Sequence, residues 1–377
     1  MKIVQLTRTA SSDWKYLSAD TTLVKPLVLV FGSRLLLEQE GVFNEVKTLF
    51  PDGEIVFGSS CADITANCVN ENAITITAIA FEKSTFQIRT SNVLHTDYDG
   101  FKTGHDLIQK FPKENLKYVF VISEGSFING SDLTKGMNYA THDNLLITGA
   151  LCGDSDRFEK TLSSYNENPK PGEIVAVGLY GDSLEISFSI YGGWTPFGPE
   201  RMVTKSEGNV LFELDNLPAL DIYKKYLGDK SKELPGAALL YPLNVKCANE
   251  KQSIVRSILN IDEEQNAMIL AGDIPENSKV QLMMTNVDNI ANASERAAQQ
   301  ALGLREKKPE LAMLVSCIGR KLVLDQRVEE EIEEVTQVIG ADIAVTGLYS
   351  YGEIAPFHGE VSCQLHNQTM TVTLLSE

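Results

Sequence analysis

Two short segments hold most of the side chains whose types could bind or transform a small molecule. The first, GALCGDSDRFEK, carries Asp154 and Asp156 beside Arg157 and Phe158. An arginine guanidinium can bind a carboxylate through two hydrogen bonds, and neighbouring acids can hold it in place. The segment therefore indicates either a clamp for an anionic ligand or an ion pair that only stabilises a loop.

The second segment, GLYSYGEIAPFHGE, combines aromatic rings with polar groups. Tyr351, Glu353, Phe357 and His358 all fall within this glycine-rich stretch. Aromatic residues next to a few polar side chains are typical of small-molecule pockets. We interpret the segment as pocket lining, although a structured turn whose rings cover the core would have the same composition.

Motifs that would identify an enzyme are absent from the sequence. It contains no P-loop, no GxGxxG after a strand, no GxSxG, no HExxH and no C-x-x-C pair. Of the five histidines, His358 and His366 fall near the expected pocket, although a lone histidine is usually structural. The residues alone do not separate an enzyme from a binding module, and the lack of a nucleophile motif favours binding.

Composition narrows the class of partner. The 377 residues include 51 acids and 33 bases, which gives a net charge of −18. Nucleic acids and anionic membranes need a basic face, so neither is expected as the main partner. No apolar stretch approaches the roughly 18–20 residues that span a bilayer, and no signal-peptide pattern opens the sequence. We therefore expect a cytoplasmic protein.

Three similar segments are expected to position the candidate residues. Residues 27–64, 117–154 and 311–354 each contain an apolar run, a small-residue turn, an amphipathic helix and a second apolar run that stops at a glycine. This pattern predicts a strand–helix–strand unit, and ligands bind at strand ends in open α/β sheets. An acid follows each glycine, in the pairs Gly58 and Asp63, Gly149 and Asp154, and Gly347 and Glu353.

The predicted fold is α/β, with mixed sheets built from repeated strand–helix–strand units and a ligand cleft at the strand ends. A glycine- and proline-containing loop divides the chain into two predicted domains, residues 1–217 and 218–377. The first and last repeats are expected to occupy equivalent places in their sheets. The runs 173–180 and 184–190 flank Gly181 and predict a hairpin.

Several segments resemble the FIST sensory family. They are FPDGEIVFGSSCADI, GALCGDSDRF, GGWTPFGPERMVTKSEGNVLFELDNLPALDIYKKYLG and YSYGEIAPFHGEVSCQLHNQTMTVTLLSE. They are similar to the N-terminal and C-terminal domains of that family, in that order, over about residues 26–375. The glycine–tryptophan stretch and the LHNQT tail are the most specific parts of the resemblance.

The resemblance implies a ligand sensor rather than a catalyst. No histidine-kinase, receiver, cyclase or F-box segment accompanies it, so the chain resembles the stand-alone bacterial type. Some relatives of that type are haem proteins that sense nitric oxide and regulate a partner histidine kinase or cyclic-di-GMP enzyme. The family as a whole has instead been proposed to bind small metabolites such as amino acids.

A haem site needs a histidine on the iron, an apolar slot and a basic group for the propionates. His366 is the first choice for the iron ligand and His358 the second, while Arg157 would serve the propionates. A free axial position would then admit nitric oxide.

Neither an amino-acid site nor an acid–base enzyme would need a histidine. An amino-acid site would use Arg157 for the carboxylate and Asp154, Asp156 or Glu353 for the ammonium group. An enzyme would use Glu353 or Tyr351 as an acid or base, although no sequence pattern supports turnover.

Overall fold

The structure of the protein is a computed structural model that describes residues 1–19, 21–66, 68–141, 145–248 and 250–377. Within these residues the chain forms three six-stranded sheets and one eight-stranded sheet, with helices packed against them. This arrangement confirms the predicted mixed α/β class. None of the described helices has both the length and the apolar composition that a membrane span needs.

The six-stranded sheets arise from three consecutive repeats of one chain pattern. The first repeat consists of β1 (Lys2–Thr9), β2 (Lys15–Tyr16), β3 (Leu27–Ser33), α1 (Arg34–Leu37), α2 (Val42–Leu49), β4 (Glu54–Ser60), β5 (Ala62–Thr65), β6 (Cys68–Asn70) and β7 (Ala73–Ala80). The second repeat consists of β8 (Thr85–Asn92), α3 (Gly100–Gln109), β9 (Leu116–Ser123), α4 (Gly130–Ala140), β10 (Leu146–Leu151), β11 (Ser163–Tyr165) and β12 (Glu173–Tyr180).

The third repeat contains a long insertion. The repeat itself consists of β13 (Glu185–Tyr191), α6 (Val287–Gly303), β22 (Leu311–Cys317), α7 (Ile318–Leu324), α8 (Glu330–Ile339), β23 (Ala344–Ser350), β24 (Gly352–Pro356), β25 (Cys363–His366) and β26 (Met370–Ser376). The insertion, residues 195–284, consists of β14 (Thr195–Glu207), β15 (Val210–Leu214), β16 (Leu217–Pro218), α5 (Ala219–Leu227), β17 (Leu243–Lys246), β18 (Ile254–Arg256), β19 (Ile258–Asp262), β20 (Ala267–Leu270) and β21 (Lys279–Met284). Its strands form the eight-stranded sheet, called the inserted sheet below.

Each six-stranded sheet has the same centre, a pair of parallel strands whose connection includes a helix. The pairs are β3 with β4, β9 with β10, and β22 with β23. Every residue of β3 and β22 is buried, as their unbroken apolar sequences require in a covered sheet. Two antiparallel strands complete one side of each pair: β7 and β1, β12 and β8, or β26 and β13. The predicted equivalence of residues 27–64 and 311–354 is therefore confirmed, and residues 117–154 share it.

The strand that completes the other side of each pair comes from a different repeat. β5 follows β4 in the chain but pairs with β23, and β24 follows β23 but pairs with β10. β11 follows β10 and pairs with β4, which closes the circle. The three repeats are thus joined by a cyclic exchange of strands, and the ends of their parallel pairs meet.

Backbone hydrogen bonds reinforce this exchange where the parallel strands end. At this point each repeat donates an N–H to a carbonyl of the repeat whose sheet it enters. The bonds run from Cys61 to Tyr349 at 2.9 Å, from Gly153 to Ser59 at 2.9 Å and from Tyr351 to Leu151 at 3.1 Å.

The hairpin predicted for residues 173–180 and 184–190 is wrong. β12 pairs with β8 and β9, whereas β13 pairs with β26 in another sheet. The turn at Gly181 connects the last strand of one repeat to the first strand of the next. A short turn between two strands therefore does not mean here that the two strands pair.

The repeat glycines do not end their strands in a turn, as the sequence suggested. Gly149 and Gly347 lie inside β10 and β23. A Cβ atom on Gly347 would lie 2.0 Å from the carbonyl oxygen of Leu314, and one on Gly149 would lie 2.2 Å from that of Val121. The glycines therefore permit close contact with the neighbouring parallel strand.

The two predicted domains share their sheets. β5 and β6 come from the first half of the chain and lie in the sheet of β22 and β23. β24 and β25 come from the second half and lie in the sheet of β9 and β10. The division at residue 217 stays a prediction, and the inserted sheet begins before it.

We predict that Gly347→Ala destabilises the protein by about 1–3 kcal/mol, because the added methyl group overlaps the carbonyl oxygen of Leu314. Gly303→Ala is the matched control, since no atom of the described residues lies within 4 Å of its added Cβ atom. Urea unfolding monitored by circular dichroism measures both. Equal free energies of unfolding for the two variants would contradict the close-contact explanation.

Candidate functional site

The acid that follows the second repeat lies in a buried ion-pair network. Asp154 has no exposed surface, and its Oδ1 atom lies 2.9 Å from Nε of Arg34. The same oxygen accepts hydrogen bonds of 2.8 and 2.6 Å from Arg157. Burial alone would raise the pKa of Asp154, but the two guanidinium groups hold it below its usual value. These charges are therefore satisfied within the chain.

The other predicted members of this cluster differ in exposure. Arg34 also pairs with Glu38 at 2.8 Å and with Glu159 at 3.0 Å. It therefore links three carboxylates of the network. Asp156 is exposed, and Arg157 is partly exposed. A contact between Arg157 and an anionic ligand stays a prediction, and it would require a carboxylate to share Arg157 with Asp154.

Two predicted aromatic residues from different repeats are in contact. The rings of Phe158 and Tyr351 stack with centroids 4.5 Å apart and planes inclined by 12°. The Tyr351 hydroxyl donates to the carbonyl of Ser155 and accepts from the amide of Phe158, both at 3.1 Å. Burial raises the pKa of Tyr351, so the phenol stays protonated. The cyclic exchange of strands thus joins the two candidate segments.

The stacked rings line a cavity of about 460 Å³, called the first cavity. It lies between the strand ends of the repeats and the inserted sheet. Apart from the Tyr351 phenol, none of the described lining side chains ionises. Its aromatic and amide lining includes Phe127, Asn129, Phe158, Asn209, Asn260 and Tyr351.

Glu353, two residues after Tyr351 in the chain, is fully buried. Its carboxyl group accepts hydrogen bonds from the Ser350 hydroxyl at 2.9 Å, the Thr369 hydroxyl at 2.7 Å and the Thr369 amide at 3.1 Å. Burial raises the pKa of Glu353 to about 7, against the opposing effect of these bonds. The protonated form also fits, because it can donate to Ser350 while the Ser350 hydroxyl donates to the carbonyl of Ser316 at 3.3 Å.

A second cavity of about 460 Å³ contains the other group of predicted residues. His366 is buried, and its Nε2 atom donates to the carbonyl of Ala355 at 3.0 Å. Burial lowers the pKa of His366 to about 3, so the ring is neutral and Nδ1 carries a free electron pair. The ring packs edge-to-face on Phe357, with centroids 4.7 Å apart. His358 is exposed, and its backbone oxygen accepts from Gln252.

The second cavity fits only part of a haem site. The neutral imidazole of His366 is in the state that binds a metal, and Arg296 lines the same cavity as a cation for propionates. Arg157 does not line it. The described lining includes four side-chain amides, so the cavity is less apolar than a haem slot. Among the described residues, no group of three His, Cys, Asp or Glu side chains could hold a metal ion.

The LHNQT turn connects the repeats to the inserted sheet. Gln368 donates 2.9 Å hydrogen bonds to the carbonyl of Leu239 and to the hydroxyl of Ser257. From the other side, the buried guanidinium of Arg256 donates to the carbonyl of Leu365 at 2.7 Å. Burial lowers the pKa of Arg256 to about 10. The inserted sheet is therefore held over the strand ends by polar groups that water does not reach.

Sequence reasoning missed the residues that the inserted sheet and the loop after β9 contribute. Phe127 and Asn129 follow β9, the first apolar run of residues 117–154, and a position at the end of such a run could have indicated them. Asn209 and Asn260 had no such signal, because their place in the cavity depends on how the inserted sheet packs. Arg296 lies on α6, and no sequence signal placed that helix beside a cavity.

Comparisons with known proteins match both halves of the chain. The model of the FIST N domain matches residues 26–217, and that of the FIST C domain matches residues 219–356. The uncharacterized protein MJ1623 of Methanocaldococcus jannaschii is 27% identical over 209 residues. That alignment covers 50% of this chain and 38% of the relative, so the chain spans well under half of that relative's length.

We predict that Glu353→Gln reduces the loss of stability as the pH rises. A carboxyl whose pKa is raised from 4.5 to about 7 binds more protons in the folded protein, so its contribution is complete below pH 4.5 and is lost through pH 7. The amide can donate to Ser350 as the protonated acid does. Relative to the wild type, the variant should gain on the order of 3 kcal/mol between pH 4.5 and 8.

Urea unfolding at several pH values measures this difference, with the exposed Glu360→Gln as the matched control. Burial also raises the pKa of Asp63, to about 8. Because Asp63 is unchanged in every variant, each of them still loses some stability as the pH rises. A stability difference between Glu353→Gln and wild type that does not change with pH would show that Glu353 ionises normally.

Proposed function

The chain belongs to the FIST family of sensory, ligand-binding domains of signal transduction, and from this premise we propose that it senses a small molecule bound in the first cavity. The observation that carries the proposal is that the repeats and the inserted sheet both line this cavity. A ligand there contacts two parts of the chain that are also joined by the LHNQT turn and by the contacts of Asn129 and Lys135 with Asp273. Its binding can therefore favour one relative arrangement of the two parts.

The lining defines the chemical class of ligand. Phe158 and Tyr351 offer stacked aromatic rings, and Phe158 is partly exposed. The side-chain amides of Asn129, Asn209 and Asn260 each make hydrogen bonds within the chain. An amide has two donor hydrogens and an oxygen with two lone pairs, so each keeps part of its hydrogen-bonding capacity for a ligand. Because none of the described side chains that line the cavity carries a charge, a charged ligand group would lose its hydration without a partner. We therefore favour a flat, uncharged molecule with several polar atoms.

The proposed role is binding rather than catalysis. The Tyr351 hydroxyl and the Glu353 carboxyl both hold hydrogen bonds to their own chain, as described above. Neither is therefore available as an acid or base without breaking those contacts. The proposed output is regulation of a partner signalling protein in the cytoplasm, such as a histidine kinase or a cyclic-di-GMP enzyme.

We predict that Phe158→Ala weakens ligand binding about tenfold, because one stacking surface of the first cavity is lost. Phe357→Ala is the matched control, since that ring lines only the second cavity. A panel of uncharged heterocyclic metabolites, with amino acids as a second group, would be screened by thermal shift and measured by calorimetry. Equal losses in both variants, or binding of amino acids alone, would contradict this assignment.

A second candidate is haem-based sensing of nitric oxide at the second cavity. The supporting observation is the neutral, cavity-lining imidazole of His366 beside Arg296. His366 and Arg296 would hold the haem, which would supply the iron that binds nitric oxide. The amide lining makes this the weaker candidate.

We predict that, if haem binds, His366→Ala removes the Soret band of protein expressed with haem available, while His358→Ala retains it. The reason is that His366 faces the cavity, whereas His358 is exposed on a turn. Loss of the band only in His358→Ala would reverse the ranking. An unchanged spectrum in both variants would remove both histidines from the site.

A further inference from the structure

Four exposed aromatic side chains on the second repeat form two contacting pairs. Tyr98 is 59% exposed, Phe101 41%, Phe127 41% and Tyr139 71%. The ring centroids of Phe101 and Tyr139 lie 5.6 Å apart, and those of Tyr98 and Phe127 lie 6.2 Å apart. We call these four residues the aromatic surface. Neighbouring large apolar groups that stay in contact with water commonly mark an interaction site.

Glycines bring the helices of this surface together. A Cβ atom on Gly136 of α4 would lie 1.9 Å from the carbonyl oxygen of Phe101, and one on Gly104 of α3 would lie 2.3 Å from that of Leu133. The backbones of α3 and α4 therefore touch. This close packing places Phe101 and Tyr139 side by side on the outer face, and it does not bury either ring.

The backbone at Tyr98 is in a conformation that bulky residues rarely adopt. Tyr98 has a φ of 64° and the preceding Asp97 a φ of 53°, both in the left-handed region. The amide of Tyr98 donates to the carbonyl of Val93, which fixes the turn. The chain thus holds an exposed aromatic ring in a sterically costly position, although the ring covers little of the core.

Among the described residues, carboxylates around the rings outnumber the cations. The ring of His105 also belongs to this neighbourhood, with its centroid 6.4 Å from that of Phe101 and 5.7 Å from that of Tyr139, and its Nδ1 atom lies 3.0 Å from Asp106. Asp97 and Asp99 flank Tyr98 and are exposed, and Asp106 lies on α3. Lys135 is close to α3 but is neutralised by Asp132 and Asp273. Lys102 on α3 and Lys110 just after it remain as cations, and the ammonium group of Lys110 donates to the carbonyl of Thr90.

Aromatic faces rimmed by carboxylates attract guanidinium and ammonium groups through cation–π and ionic contacts. A second copy of this chain would instead bring acids against acids across a symmetric contact. The electrostatics therefore favour a basic partner over self-association.

We propose that the aromatic surface docks an arginine- or lysine-bearing segment of a partner protein. The assignment rests on the proposed signalling function and identifies its output surface.

Phe127 connects this surface to the first cavity. It lines the cavity and also contacts Tyr98, with ring planes inclined by 66°. Its amide donates to the buried carboxyl of Glu124 at 3.0 Å, which anchors the loop that carries it. A ligand that touches Phe127 can therefore alter the position of Tyr98, and by reciprocity the docked segment alters ligand affinity.

The test uses the full chain and a synthetic peptide of alternating arginine and glycine, measured by calorimetry at low and moderate salt. Tyr139→Ser and Phe101→Ser should each weaken binding about three- to tenfold. Tyr16→Ser is the matched control, because Tyr16 is 43% exposed on β2 in another sheet. None of these changes alters the net charge of −18. A selective loss therefore reports the aromatic rings rather than general attraction to a polycation.

Equal affinity in Tyr139→Ser and Tyr16→Ser would overturn the proposal. Sedimentation equilibrium provides a second check, because a dimer that dissociates in Tyr139→Ser would show that the surface binds a second copy instead. Circular dichroism confirms that each variant is folded. Peptide binding needs no small molecule, so the two proposals can fail separately. The peptide can bind even if the metabolite screen finds no ligand for the first cavity, and a metabolite can bind even if the peptide does not.

Discussion

The exchange of one strand between successive repeats is the constraint on which the rest of the structure depends. β5, β11 and β24 each leave the repeat that encodes them and complete the sheet of another. Because no repeat contains all the strands of its sheet, none can satisfy its backbone hydrogen bonds alone. The exchange also brings the segments after β10 and β23 together, which is why Phe158 and Tyr351 stack although 193 positions separate them in sequence.

The acids at equivalent positions of the three repeats differ in their ionisation. Asp63, Asp154 and Glu353 each follow the glycine of their repeat, and all three are buried. Arg34 and Arg157 keep Asp154 ionised, whereas burial raises the pKa values of Asp63 and Glu353 towards neutrality. The three acids therefore place one charged group and two readily protonated groups in one region. The protonation of Asp63 and Glu353 depends on how strongly their surroundings exclude water.

The sequence predicted what depends on local pattern and missed what depends on packing between distant segments. The parallel pairs β3–β4 and β22–β23 follow from apolar runs that flank an amphipathic helix. The partner of β5 could not be predicted, because four residues after a glycine carry no information about which sheet they enter. The ionised state of Asp154 depends on Arg34, which lies in another repeat. The amides of Asn209 and Asn260 reach the first cavity only through the docking of the inserted sheet.

The cyclic exchange of strands limits how the polypeptide can be divided into fragments that fold. It is the connectivity that a strand-swapped homotrimer would have if its three subunits were joined end to end. Cutting the polypeptide between the two family domains would leave each fragment with an unpaired sheet edge and a displaced strand, so the fragments should associate with each other or with further copies. The insertion in the third repeat then breaks the threefold symmetry, and it turns an arrangement of three similar strand-end openings into one with a covered, asymmetric cleft.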